Sequence, residues 1–231
     1  MADPLDNPIW YALSGPQANE ASGTAHALRF APDVAWFCAV ADPLGTGVGA
    51  LAGIAEPGEI VALFTTGTVT PLVGWEPIFH GRFEQMVCDQ LPVESAKPDN
   101  LDMVALGAED VDDMLTLAQL TEPGPFLART NTLGDFVGVR VDGALAAMAG
   151  QRLRIDGATE ISAVCTHPDM RGRGYAGQLV HTLASRIVAD GQRAFLHVSV
   201  DNVGARRLYE RIGFATRTTI TIQVFRIGGE F

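Results

Sequence analysis

No apolar run in the chain reaches the roughly 20 residues that a bilayer-crossing helix needs. The N-terminal MADPLDNPIW is acidic and proline-bearing, where a secretory leader is basic and then apolar. A membrane span and export are therefore not expected, and a cytoplasmic location is. Cysteine is scarce: Cys38, Cys88 and Cys165 are odd in number, widely spaced and free of any Cys-x-x-Cys or Cys/His grouping. This excludes a disulfide framework and a zinc site of the usual spacing and leaves buried free thiols. Tandem repeats and low-complexity tracts are absent. The glycines of GTGVGALAG (Gly45, Gly47, Gly49) lack both the Lys-Ser/Thr of a phosphate-binding P-loop and a third glycine at dinucleotide spacing, so they read as a turn-forming loop. There is no positive surplus either. A net charge of −11 argues against general nucleic-acid binding.

With 231 residues, 47% of them hydrophobic, the chain can bury a core as one large domain or two small ones. The charge is divided unevenly along it. Residues 1–125 hold 18 acids against Arg29, Arg82 and Lys97, whereas residues 126–231 hold 13 arginines against 9 acids. An anionic ligand would meet the second part more easily. LPVESAKPDN (residues 91–100) sets two prolines among polar residues and is the candidate linker, giving an N-terminal α/β domain over 1–100 and a second domain over 101–231.

In the first part, DVAWFCAV (33–40) and EIVALFTTG (59–67) are short apolar runs bounded by turn-forming residues and read as buried strands. The second part has a clearer order. EDVDDMLTLAQL (109–120) crowds acids into a first turn and repeats Val111, Met114, Leu115 and Ala118 at helical spacing. TEPGPF breaks that helix. Two strands then flank the Asp142-Gly143 turn, and TEISAVCT (159–166) follows as a third. A helix is expected next, with Leu179, Leu183 and Ile187 on one stripe and Val180, Ala184 and Val188 beside it. RAFLHVSV returns as a strand, NVGARRLYERIG as a helix closed by Gly213, and FATRTTITIQVF as a strand. Hairpin and crossover together predict a mixed-direction sheet in an α/β (α+β) fold.

The chemistry concentrates in CTHPDMRGRGYAGQL (165–179). Gly172, Gly174 and Gly177 satisfy G-x-G-x-x-G between strand and helix, but His167, Pro168, Asp169 and Met170 intervene after the strand. Too little sheet follows for a dinucleotide-binding fold. The better reading of Arg171-Gly172-Arg173-Gly174-Tyr175-Ala176 is a turn whose backbone N–H groups converge on one diphosphate at a helix N-terminus. Arg171 and Arg173 add charge and frame the loop. Cys165 alternates with Val164 and Thr166 along the strand and so points to the other face, as a core thiol rather than a nucleophile.

At this point the sequence resembles the GNAT superfamily of acyl-CoA-dependent N-acetyltransferases. Arg171, Gly174 and Ala176 fill its pattern of Arg or Gln, two residues, Gly, one residue, Gly or Ala. NVGARRLYERIGF (202–214) resembles its second signature of Asn, an alanine-bearing helix, Tyr and Gly-Phe. The match covers about residues 101–231 and leaves the first hundred outside, as in a branch whose N-terminal half is divergent or a degenerate copy of the same fold. The resemblance implies that acetyl-CoA is a co-substrate and that no metal is needed. Its diphosphate would lie on the backbone of the loop, with Arg171, Gly172, Arg173, Gly174, Tyr175 and Ala176 as donors or frame. The pantetheine arm would run beside Val164 and Thr166, and Asn202 would approach the arm from the next helix.

It implies further that Tyr209 is the general acid and that Glu160, eleven residues before Arg171, takes the place of the general-base glutamate of histone-type members. His167 and His197 are the reserve candidates for that role. A backbone N–H near Val164, where the strand splays from FLHVSV, would stabilise the carbonyl oxygen. The expected reaction is direct attack by a primary amine of a small molecule or peptide, without nucleic-acid or membrane partners. The alternative is a CoA-binding regulatory or structural module without turnover. Acceptor identity, acyl length, the role of the first hundred residues and oligomeric state stay open, with a homodimer among the options.

Overall fold

The computed structural model describes residues 3–42, 46–91 and 103–228. A six-residue helix α1 (Pro8–Leu13) precedes three short strands, β1 (Ala21–Gly23), β2 (Ala27–Phe30) and β3 (Cys38–Val40), which form a small antiparallel sheet. A 3-10 segment over Thr46–Gly53 leads to β4 (Ile60–Thr65) and the long β5 (Trp75–Cys88). Then follow β6 (Met103–Leu106), α2 (Val111–Thr121), β7 (Phe136–Val141), β8 (Ala144–Ile155), β9 (Ala158–Thr166), α3 (Tyr175–Ala189), β10 (Arg193–Ser199), α4 (Val203–Ile212) and β11 (Ala215–Ile227). Eight of these strands form one sheet in the order β4-β11-β5-β10-β9-β8-β7-β6.

Every neighbouring pair in that sheet is antiparallel except β9 with β10, which the crossover through α3 makes parallel. That is the mixed direction expected from hairpin plus crossover. The Asp142-Gly143 hairpin is present, both residues with positive φ as a two-residue turn of the primed kind requires. Along α3, Leu179, Val180, Leu183, Ala184 and Ile187 are all buried, and Val188 at the end of the stripe is half-buried. At about 1.5–3 kcal/mol for each large aliphatic side chain removed from water, this stripe is what holds α3 on the sheet.

The first hundred residues differ from expectation in two places. Of 33–40 only Cys38–Val40 is a strand, because the amides of Val34 and Ala35 turn back onto the Ala31 carbonyl. The run 59–67 does form β4, yet β4 and β5 join the eight-stranded sheet, which therefore draws strands from both sides of residue 100. The small sheet is tied to the large one through the Phe37–Ala62 bridge and the Ala62 amide, which donates to the Trp36 carbonyl at 2.7 Å. Gly45 of the early glycine loop and residues 92–100 of the candidate linker lie outside the described residues.

Candidate active site

The parallel ladder between β9 and β10 is short. It runs through Arg193–Ala158, Ala194–Thr159 and Phe195–Glu160 and ends there, while β9 continues to Thr166 and β10 to Ser199 along β5. The two strands therefore diverge toward their C-terminal ends, which leaves a wedge open between them. Inside the wedge β9 carries a bulge: Gly150 pairs with Ser162 and Met148 with Cys165, so Ala149 opposes both Ala163 and Val164. Ala163 takes φ 52°, an uncommon value for a residue with a Cβ. Such a bulge kinks the strand and interrupts its ladder at Ala163–Val164.

Beyond β9, the His167 ring Nδ1 accepts from the Asp169 amide at 3.3 Å and Arg171 Nε donates to the Thr166 carbonyl at 3.5 Å. The chain then turns through Gly172 (φ 78°) and Gly174 (φ 81°) into α3. An added Cβ at Gly172 would meet nothing within 4 Å, and one at Gly174 only Gln178 Nε2 at 3.9 Å. Both glycines are thus required by backbone conformation rather than by space. Gly174→Ala is expected to cost roughly 1–2 kcal/mol at this left-handed position, read as a lowered midpoint in thermal unfolding. The third glycine has a different purpose: a Cβ on Gly177 would stand 3.1 Å from Leu208 Cδ1, so Gly177 sets the approach of α3 to α4.

Gly174 is the N-cap of α3 and supplies no side-chain cap, which leaves the first N–H groups of the helix available. Arg171 to Gly174 are exposed and Tyr175 to Gln178 half-buried. Gln178 Oε1, one turn into the helix, is buried without a hydrogen-bond partner. The residues expected to hold a diphosphate thus present free donors, flanked by two exposed arginines, at the positive end of a 15-residue helix.

On α4, Asn202 is the N-cap, its Oδ1 accepting from the Ala205 amide at 3.1 Å. Tyr209 is buried with its ring 6.1 Å from that of Phe214, and burial pushes its phenol up to about 12. Val164, Tyr175 and Tyr209 belong to one cluster between the sheet and α3–α4. Cys165 faces the opposite side, in the cluster under α2, where burial pushes its thiol up to about 11. Cys38 and Cys88 are buried and free as well.

Glu160 does not join that group. It lies on the other sheet face, wholly buried, and its carboxylate accepts from Arg152 Nε at 2.9 Å and Nη2 at 2.7 Å and contacts His197 Nδ1 at 2.7 Å. Burial pushes its pKa up, but the Arg152 charge and the bonds from Arg152 and His197 outweigh burial and leave it lowered to about 2. A carboxylate so occupied is a poor proton acceptor. Arg152 was not legible as a partner, since a second bulge, with Arg152 and Leu153 of β8 opposing Glu160, is what brings it there. Arg206 and Glu84 also escape the sequence: they pair at 2.6 Å across 122 positions and tie α4 to β5. Among the described residues no grouping of His, Cys, Asp and Glu is placed to hold a metal, and no helix is long and apolar enough to cross a membrane.

The model of the FR47-like protein family matches residues 136–222, from β7 into β11. A crystal structure assigned to the GNAT family of acetyltransferases, from Novosphingobium aromaticivorans DSM 12444, is 37% identical; the alignment covers 99% of this chain and 100% of that one with a TM-score of 0.88. A GCN5-related N-acetyltransferase from Kribbella flavida shares the fold at 20% identity and a TM-score of 0.64, covering 96% of this chain and 95% of that one. Acetyltransferase YE1169 from Yersinia enterocolitica is 35% identical over 57 residues, 24% of this chain and 40% of that protein. With its splayed strands and glycine turn carried on a fold shared end to end with the Novosphingobium protein, and with a distinct N-terminal region ahead of them, the chain belongs to the GNAT family of acetyltransferases.

Proposed function

We propose that the protein transfers an acetyl group from acetyl-CoA to a primary amine by direct attack within a ternary complex. The observation that carries this reading is the wedge between β9 and β10, which opens beside an α3 N-terminus that has free amides and two left-handed glycines. In this reading the diphosphate rests on the amides of Arg173, Gly174, Tyr175 and Ala176. The pantetheine arm adds to the free edge of β9 along Val164 and Thr166 as an extra strand would. The thioester carbonyl takes the Val164 amide at the bulge, and Tyr209 protonates the departing thiolate. Asn202, whose side chain is committed to capping α4, shapes the approach from that helix. The amine loses its proton elsewhere than at Glu160, whose lone pairs are already engaged.

Electrostatics favour a cationic acceptor, because the acidic first half attracts a protonated amine. Phe126, half-buried and edge-on to Phe136 at 5.7 Å, supplies an apolar wall from the TEPGPF turn. The test is calorimetric titration of acetyl-CoA into the protein, alongside a thiol-release assay over a panel of amines. Micromolar binding with amine-dependent release is the expected result. Binding without release by any amine would favour the regulatory module, and absence of binding would overturn the reading of the glycine turn.

A further inference from the structure

The wedge needs something to hold its apex, because backbone pairing between β9 and β10 stops at Phe195–Glu160. At that level a line of side-chain hydrogen bonds crosses the sheet. Arg152 on β8 binds Glu160 on β9 twice, and Glu160 Oε1 meets His197 Nδ1 on β10 at 2.7 Å. His197 Nε2 lies 3.2 Å from Gln85 Nε2 on β5, and Gln85 Oε1 accepts from Arg217 Nη1 on β11 at 2.8 Å. These five residues follow the strand order β8-β9-β10-β5-β11 without a gap.

The donor directions are consistent along the line. Gln85 donates its amide N–H to the Leu5 carbonyl at 2.8 Å and its oxygen accepts from Arg217, which fixes which way the amide points. Its nitrogen therefore donates to His197 Nε2, and the proton on the ring must sit on Nδ1, aimed at Glu160. Water is kept out by aromatic rings: Phe64 and Phe195 stand edge-on to His197 at 5.1 and 5.8 Å, and Arg152 lies over Phe37 at 4.6 Å. In such surroundings each bond is strong and each missing partner costly, so the line is stiff.

We propose that Glu160 and His197 are positioning residues that pin the apex of the β9–β10 wedge and so set its width for the CoA arm, a role that rests on the acetyl-CoA reading above. The Glu160–His197 bond takes over two residues beyond the last backbone pair on β10, where the strands would otherwise be free to separate further or close. The same line reaches the N-terminal segment through the Leu5 carbonyl and through Arg217, which pairs with Asp3 and Asp6. This gives the first residues of the chain a purpose in the site without touching the donor.

The test compares His197→Leu, which removes the ring donor at similar bulk, with His197→Asn, whose side-chain amide can still donate to Glu160. Amide hydrogen exchange over β9 and β10, acetyl-CoA affinity, and the split between KM and kcat are read for both. His197→Leu should speed exchange locally in β9 and β10 and weaken acetyl-CoA binding about ten-fold, with KM rising more than kcat falls; His197→Asn should stay within about three-fold of wild type. Unchanged exchange with unchanged affinity in His197→Leu would overturn the pin while leaving the acetyl-CoA reading intact. Faster local exchange in a protein whose wild type binds no acetyl-CoA would leave the pin as a structural element and overturn the acetyl-CoA reading, and with it the role of setting the wedge for the CoA arm.

Discussion

Tyr209→Phe is expected to lower turnover by roughly a hundred-fold or more, with acetyl-CoA affinity unchanged within about two-fold. The substitution removes one hydroxyl and keeps the ring that packs near Phe214 and within the α3–α4 cluster, so its effect on folding should be small. A departing CoA thiolate is a moderate leaving group, which places the expected loss at the lower end of the range for general-acid catalysis. Burial of the phenol raises its pKa from 10.0 to about 12, and that fixes the pH dependence. Under the proposed mechanism the protonated phenol is the competent form, and it persists to higher pH than in an exposed tyrosine. Turnover should therefore show no fall attributable to Tyr209 through pH 10, where an exposed phenol is half ionised. Steady-state rates over pH 7 to 10 for wild type and variant check this. Equal turnover in Tyr209→Phe would remove the residue from the mechanism, and a melting temperature that dropped while turnover held would make it a packing residue only.

Legibility differed sharply between the two parts of the chain. From Val111 onward, helical and alternating periodicities agreed with turn chemistry at Asp142-Gly143, Gly174 and Gly213, so each local preference pointed to the same element that the sheet uses. In the first part, β5 stayed hidden because Pro77 and Gly81 interrupt its pattern. The structure accommodates Pro77 beside a register shift, on a stretch of β5 that pairs with β11 alone. The helix α1, at six residues, is too short for periodicity to announce it.

At the site, the glycine turn and the placement of Tyr209 on the helix after Asn202 were readable because their spacing is local. The two bulges were not: they depend on register between β8 and β9, which no single segment encodes. Those bulges decide the fate of Glu160. The one at Arg152–Leu153 places two β8 residues against it and brings Arg152 within bonding distance; the one at Ala163–Val164 reverses the alternation, so Glu160 and Val164 face opposite sides of the sheet despite an even separation.

Arg152→Ala should be among the most destabilising single changes in the protein, at about 3–5 kcal/mol, because it strands a buried carboxylate. The Glu160 side chain is 0% exposed and that of Arg152 only 12%, so solvent cannot substitute for the lost guanidinium. Packing over Phe37 is lost as well. For a chain of this length, about 2–4 °C of melting temperature goes with each kcal/mol, which makes a fall of roughly 10 °C the expected reading. The dependence on pH distinguishes charge from packing. In the wild type the Glu160 pKa is lowered from 4.5 to about 2, so its contribution is present above pH 4.5 and is lost as pH falls from there toward 2. Without Arg152, burial dominates and raises the carboxyl above its unfolded value, so acidification now favours the folded variant. The gap between wild type and Arg152→Ala should consequently narrow between pH 7 and pH 4, and Arg152→Met combined with Glu160→Gln should recover much of the loss at pH 7. Thermal melts of all three proteins across that range decide the matter: a gap independent of pH would mean that the arginine acts through its packing on Phe37 and not through the carboxylate it covers.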